Sequence, residues 1–149
     1  MNLLGAIIAG LAGTIVMTLV MAMAPKMGMP KMDIVGMLGS MFNADGSRTL
    51  GMVMHLMMGV VFAIVYSLLW NVGIGAVSWL WGLVFGSVHW LVTGMMMVII
   101  PIMHAGIKAG KVEAPGAFMM KDGGIIAFMG GLVGHMVFGV VVILVYGLF

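Results

Sequence analysis

The chain contains no cysteine, only four prolines, and ten charged residues in 149. Without cysteine there can be no disulfide, no thiolate metal site and no thiol redox chemistry. Six Lys or Arg and four Asp or Glu cannot clothe a soluble globule, whose surface normally draws on about a quarter of the residues being charged. The apolar share of 64% and the mean hydropathy of +1.29 exclude a disordered chain as well. The remaining class is an integral membrane protein. Its small cationic excess bears on orientation in the bilayer and gives no sign of a nucleic-acid partner.

Four long apolar stretches, at residues 3–24, 50–70, 76–100 and 124–149, carry no charged side chain. Each reaches the ~20 residues a helix needs to cross the hydrocarbon core. The first lacks a basic leader, and Pro25 follows its last small residues, so it reads as a retained helix and not as a cleaved signal. All six cations fall in two connections: Lys26, Lys31 and Arg48 in the first, Lys108, Lys111 and Lys121 in the third. The positive-inside rule then places both long loops in the cytoplasm and both termini outside a bacterial inner membrane. Trp70, Trp79 and Trp81 flank the short outer turn as an interfacial belt would. In the first loop Asp33 can cap a short helix over 33–42, whose apolar positions Ile34, Met37, Leu38, Met41 and Phe42 suit the cytoplasmic interface. The third loop, with Pro115-Gly116 and Glu113, reads as irregular.

Shifting the sequence by 80 residues lays 51–69 on 131–149 with nine identities in 19 positions. Gly51, His55, Gly59 and Tyr66 of one copy meet Gly131, His135, Gly139 and Tyr146 of the other. The first and third stretches match weakly, at Gly10/Gly86, Met21/Met97, Pro25/Pro101 and Met27/Met103. The expected fold is therefore all-α: four transmembrane helices forming two related helical hairpins in a compact bundle, fused in one orientation. Glycines four apart form one helix ridge and let a neighbouring backbone come close.

Three histidines lie inside these stretches, and a polar group at that depth needs a partner. At 1.5 Å per residue, His55, His89 and His135 fall within roughly one turn of a common depth. Thr14, Met17 and Thr18 on the first helix are placed to reach that layer, whereas His104, after Pro101, belongs at the hydrated interface. Three readings follow. The imidazoles hydrogen-bond to backbone carbonyls, to Thr14 or Thr93, or to each other. Alternatively they hold a cofactor: haem b between His55 and His135, or copper at His55, His89 and His135 with Met17. A proton or ion path is the third, weakened by the absence of intramembrane carboxylates.

Methionine reaches 21 residues, with an MxM…MxM run at Met21, Met23, Met27, Met29 and Met32. Thioethers favour Cu(I), but methionine is also an adaptable packing residue, and these methionines face the cytoplasmic side, not the side from which external copper comes. Catalytic carboxylates would have to come from Asp33, Asp45, Glu113 and Asp122, all in loops, and no triad, HExxH or nucleotide loop is present, so autonomous enzymology is not expected.

The Pro-Lys-Met-Asp-Ile-Val-Gly-Met-Leu-Gly run at 30–39 is similar to a pattern in small four-span bacterial membrane proteins of uncharacterised function. The paired Gly-x3-His-x3-Gly motifs, His89-Trp90 and Met103-His104 share in that resemblance. It implies a four-span fold over most of the chain and brings no activity with it. The expected function is a small non-catalytic subunit or assembly partner of a larger membrane complex, a redox complex being one candidate, whose partners are lipid and other membrane subunits or a second copy. The alternatives are the haem- or copper-binding protein and a channel or transporter for a small solute or ion.

Overall fold

The computed structural model describes residues 1–121 and 123–149 in full. Its elements are helices: α1 Leu3–Met23, α2 Ile34–Gly39, α3 Arg48–Asn71, α4 Trp79–Met96, α5 Ile100–Met103, α6 Ala105–Lys108 and α7 Met120–Tyr146, with no strand among the described residues. Four of them, α1, α3, α4 and α7, are long and apolar enough to cross a membrane. Their outward faces carry large apolar side chains such as Leu4, Ile15, Leu19, Met57, Val88 and Leu144, which a lipid environment requires and water would not tolerate.

Local chemistry sets the boundaries. Side chains of Asn2, Asp33 and Ser47 accept from the backbone N–H groups of Gly5, Gly36 and Leu50, satisfying orphan donors at the starts of α1, α2 and α3. Past α1 the chain tightens into a 3-10 turn over Ala24–Met27, which Gly28 closes in the left-handed region at φ 83°. The third span is shorter than the apolar stretch suggested. It stops at Met96, residues 97–99 form a turn, and α5 starts afresh with Pro101 in its first turn. A proline ring clashes with the carbonyl four residues earlier, which here ends the continuous helix. The third connection, expected to be irregular, holds α5, α6 and a 3-10 turn at Ala117–Met119.

Both termini and the α3–α4 turn meet at one end. The N-terminal ammonium donates to Asn71 Oδ1 at 3.1 Å, and Asn2 N–H donates to the Tyr146 hydroxyl at 2.9 Å. The two long connections gather at the other end, where Ala105 and Gly106 N–H groups donate to Met41 and Ser40 carbonyls. Helix α1 packs on α3 and on α7, and α7 packs on α4. Glycines make these approaches possible: a Cβ on Gly10 would lie 2.7 Å from the Gly59 carbonyl, and one on Gly82 would lie 2.9 Å from the Gly139 carbonyl.

Helices α3 and α4, neighbours in sequence, stand apart. Near the terminal end an aromatic group bridges them: Tyr66 lies 5.1 Å from Phe85, and Trp70 stacks on Phe85 at 5.9 Å. Trp70 thus turns inward, away from the belt position expected of it, while Trp79 and Trp81 stay at the surface. Toward the loop end nothing comparable fills the gap, and α2 docks on α3 with Met37 and Leu38 buried.

Candidate functional site

The space left between the long helices is a cavity of about 290 Å³. Its polar lining is Thr14, His55, His89, Thr93 and His135. Methionine supplies six further walls: Met17, Met37, Met41, Met58, Met96 and Met97. The four residues singled out from sequence as ligand candidates, His55, His89, His135 and Met17, therefore all face one space. Among the described residues no carboxylate reaches it. Asp33 pairs with Arg48 at 2.6 Å, Asp45 with Lys111, and Glu113 with Lys121 at 3.4 Å, all exposed at the loop end. The remaining sequence candidate, Asp122, lies outside the described residues.

The hydrogen-bond directions at the histidines follow from proton counting. His135 Nδ1 lies 2.8 Å from the Gly131 carbonyl, an acceptor only, so Nδ1 carries the proton and Nε2 the lone pair. That Nε2 sits 3.4 Å from Thr93 Oγ1, whose single proton goes to the His89 carbonyl at 3.0 Å. His55 meets a threonine through the other ring nitrogen. Its Nδ1 is 3.4 Å from Thr18 Oγ1, which already donates to the Thr14 carbonyl at 2.7 Å, so Nδ1–H donates and Nε2 keeps a free lone pair. His89 has Nδ1 3.2 Å from the Tyr66 hydroxyl, a pairing that works in either direction. Among the described residues, the hydrogen-bonding group recorded at an Nε2 atom of these three is the Thr93 hydroxyl, 3.4 Å from that of His135.

The rings are also packed. Phe62 stacks on His89 with centroids 3.5 Å apart, and His135 meets His89 edge-on at 4.7 Å. Trp90 covers His135 at 4.9 Å, an approach opened by the absence of a side chain on Gly131. The His89–His135 pair is thus packed by neighbouring rings, whereas among the described residues His55 has no ring contact. Among the described residues no three His, Cys, Asp or Glu side chains are grouped to hold a metal ion by themselves. The other donor atoms on this lining are the methionine thioethers and the Thr14 and Thr93 hydroxyls.

Two features differ from the sequence expectation. His104 is not hydrated at an interface: it is 1% exposed, Nε2–H donates to the Met37 carbonyl at 2.8 Å, and Nδ1 accepts from Ile107 N–H at 3.1 Å. It ties the third connection to α2 and so holds one wall of the cavity. Thr14, considered as a histidine partner, instead donates to the Gly10 carbonyl at 2.8 Å. Sequence reasoning missed Tyr66 as a partner of His89 and Phe62 as its stacking surface. The only signal for Tyr66 was its place in the repeat. Compared with known protein families, curated proteins and solved structures, the chain shows no match, and geometry alone speaks for this site.

Proposed function

We propose that this protein binds a soft monovalent cation, Cu(I) by its chemistry, within the membrane, at His89, His135 and the surrounding methionines. The observation that carries the reading is the His135 arrangement. Metal-bound histidines characteristically donate their second ring N–H to a carbonyl or carboxylate, which fixes the tautomer and aims the other lone pair at the ion. Here the Gly131 carbonyl takes that proton and leaves Nε2 in a cavity walled by thioethers. Neutral imidazole and thioether ligands suit Cu(I) above harder ions. A single charge is also the least costly to hold where no anion balances it. Bound to His89 Nε2, the cation would set Nδ1–H to donate to the Tyr66 oxygen.

Haem b between His55 and His135 is the competing cofactor reading, and the visible spectrum below separates it from an ion. The reading of two related hairpins rests on the sequence repeat: Gly59 closes on Gly10 and Gly139 on Gly82, although the sequence register pairs Gly10 with Gly86. Because α1 packs on α7 while α3 and α4 stay apart, any two-fold relation between the hairpins is broken at the cavity. With the cationic loops in the cytoplasm of a bacterial inner membrane, the cavity would communicate with that side. Nearly all of the chain is helix and short connection. This favours a second aspect of the reading: the protein acts as a small subunit that passes its ion to, or receives it from, another membrane protein.

The test is purification in mild detergent followed by Cu(I) titration against a chromophoric competitor, with metal analysis and oxidised and dithionite-reduced visible spectra on the same sample. One Cu(I) per chain, lost in His135→Ala and in His89→Ala but kept in Thr93→Val, is the expected result. A Soret band that shifts on reduction would replace the reading with a haem protein. A folded, colourless protein that takes up no Cu(I) would leave the histidines as interhelical hydrogen-bonders.

A further inference from the structure

A second cavity of about 210 Å³ lies between α1, the start of α2 and the start of α3. It runs from the exposed Asp33–Arg48 pair inward past Met32, Met21 and Thr18. At its inner end it shares Met17, Ile34 and His55 with the central cavity. His55 is the only histidine on both. Its Nδ1 faces Thr18, a wall of the second cavity, and its Nε2 lone pair is uncommitted. The central pair, His89 and His135, does not touch the second cavity.

Soft donors therefore form a graded series from the loop-end surface to the membrane interior: thioethers at Met32 and Met21, imidazole and thioether at His55 and Met17, then the packed pair His89 and His135. We infer that the second cavity is the loading vestibule of the central site and that His55 is the transfer ligand between them, for a soft monovalent cation arriving from the loop end. The inference rests on the cation-binding reading above. Each transfer exchanges one neutral ligand for another: an S–cation bond breaks as an N–cation bond forms, with no proton moved and no change of oxidation state. The charge of the moving unit stays at +1 throughout. The mouth carries two cations, Arg48 and Lys31, and one anion: Asp33 pairs with Arg48 at 2.6 Å, while Lys31 is exposed, where water and salt screen its charge against an entering cation. His55 suits transfer better than storage. It is only partly buried and no aromatic ring stacks on it, whereas His89 and His135 are locked by Phe62 and Trp90.

The experiment uses Ag(I), a redox-inert stand-in for Cu(I), mixed by stopped flow with the full chain in nanodiscs. Trp90 against His135 makes tryptophan fluorescence a reporter of central-site filling. His55→Ala is expected to keep one Ag(I) per chain at equilibrium but to fill about tenfold more slowly. The double variant Met21→Leu, Met32→Leu should slow filling likewise, and His55→Met, which restores a soft donor, should recover most of the rate. Unchanged filling rates in His55→Ala would overturn the transfer role. So would loss of equilibrium binding in His55→Ala, which would make His55 a ligand of the stored ion while leaving the binding function intact. Failure of the wild-type chain to bind Ag(I) would strike the underlying reading first. Circular dichroism and the melting temperature of each variant separate loss of transfer from loss of fold.

Discussion

The Tyr66 hydroxyl lies 3.2 Å from His89 Nδ1 and joins α3 to α4 where their backbones stand apart. Both side chains are buried, so this bond is the polar counterpart of the aromatic bridge formed by Phe85 and Trp70. Removing it should loosen the gap and free the His89 ring to choose its tautomer. Interhelical hydrogen bonds in membranes contribute about 0.6 kcal/mol on average and at most about 1.7. Tyr66→Phe is thus expected to lower stability by about 1 kcal/mol, measured by unfolding in mixed micelles. If His89 binds a cation, the same variant should weaken Cu(I) affinity about tenfold, the usual effect of losing a group that orients a metal ligand. A stability loss with unchanged affinity would place Tyr66 in the scaffold alone.

His104 predicts a different pattern. It donates to the Met37 carbonyl and accepts from Ile107 N–H while fully enclosed. His104→Ala leaves the Ile107 N–H unmatched, at about 1–3 kcal/mol where water cannot reach it, while the Met37 carbonyl keeps its bonds from Ser40. The expected outcome is a lower melting temperature together with faster hydrogen exchange in α2 and in the third connection. Exchange in α1 should not change.

The glycine contacts can be tested against a control. A Cβ at Gly59 would strike Thr14 Oγ1, whose proton is engaged by the Gly10 carbonyl. Gly59→Ala must therefore push α1 and α3 apart, and overpacking of this kind costs about 1–3 kcal/mol. Gly28 has open space around it but sits at φ 83°, so Gly28→Ala carries only the left-handed backbone penalty, about 1 kcal/mol. The two variants should differ further in combination with Thr14→Ala, which should relieve Gly59→Ala and leave Gly28→Ala unaffected. Thermal midpoints of the four proteins decide this.

Asp33 gives the pH dependence. The hydrogen bond from Arg48 holds its carboxyl below the usual value of 3.8, against a partial burial that raises it, and the Gly36 N–H adds to the lowering. A carboxyl lowered in the folded state contributes stability that is present above its unfolded value and is lost as pH falls through the folded value. The side chain is 40% exposed, so the contribution is small and screened by salt. Asp33→Asn keeps the cap on Gly36 but abolishes the titration, whereas Asp33→Ala removes both. At neutral pH the Ala variant should be less stable than the Asn variant by about 0.5–2 kcal/mol, the worth of an N-cap. The stability gap between wild type and Asp33→Asn should shrink as pH is lowered through the carboxylate range. A gap independent of pH would mean that the ion pair contributes nothing.

The sequence by itself determined the class and the grammar of the chain. Four uncharged apolar stretches with almost no charge elsewhere leave helices in lipid as the only way to satisfy the backbone. The cap at Asp33, read from the sequence, is local, as are those the structure adds at Asn2 and Ser47: each needs only a side-chain oxygen and an N–H three residues on. The glycine ridges of α3 and α7 are likewise fixed by helical periodicity. Helical rise also placed three histidines at one depth, since depth depends only on distance along the axis. Tertiary structure decided what lies across from what. Which way each ridge faces depends on rotations of whole helices, and these follow from contacts between residues distant in the chain. That is why His55 and His135 find threonines on different helices, why Tyr66 and not a backbone carbonyl meets His89, and why His104, polar and beside a proline, ends up enclosed under α2. The cavity itself is legible in no single segment. It exists because α1 packs on α7 while α3 and α4, though joined by a short turn, are kept apart by their own aromatic side chains.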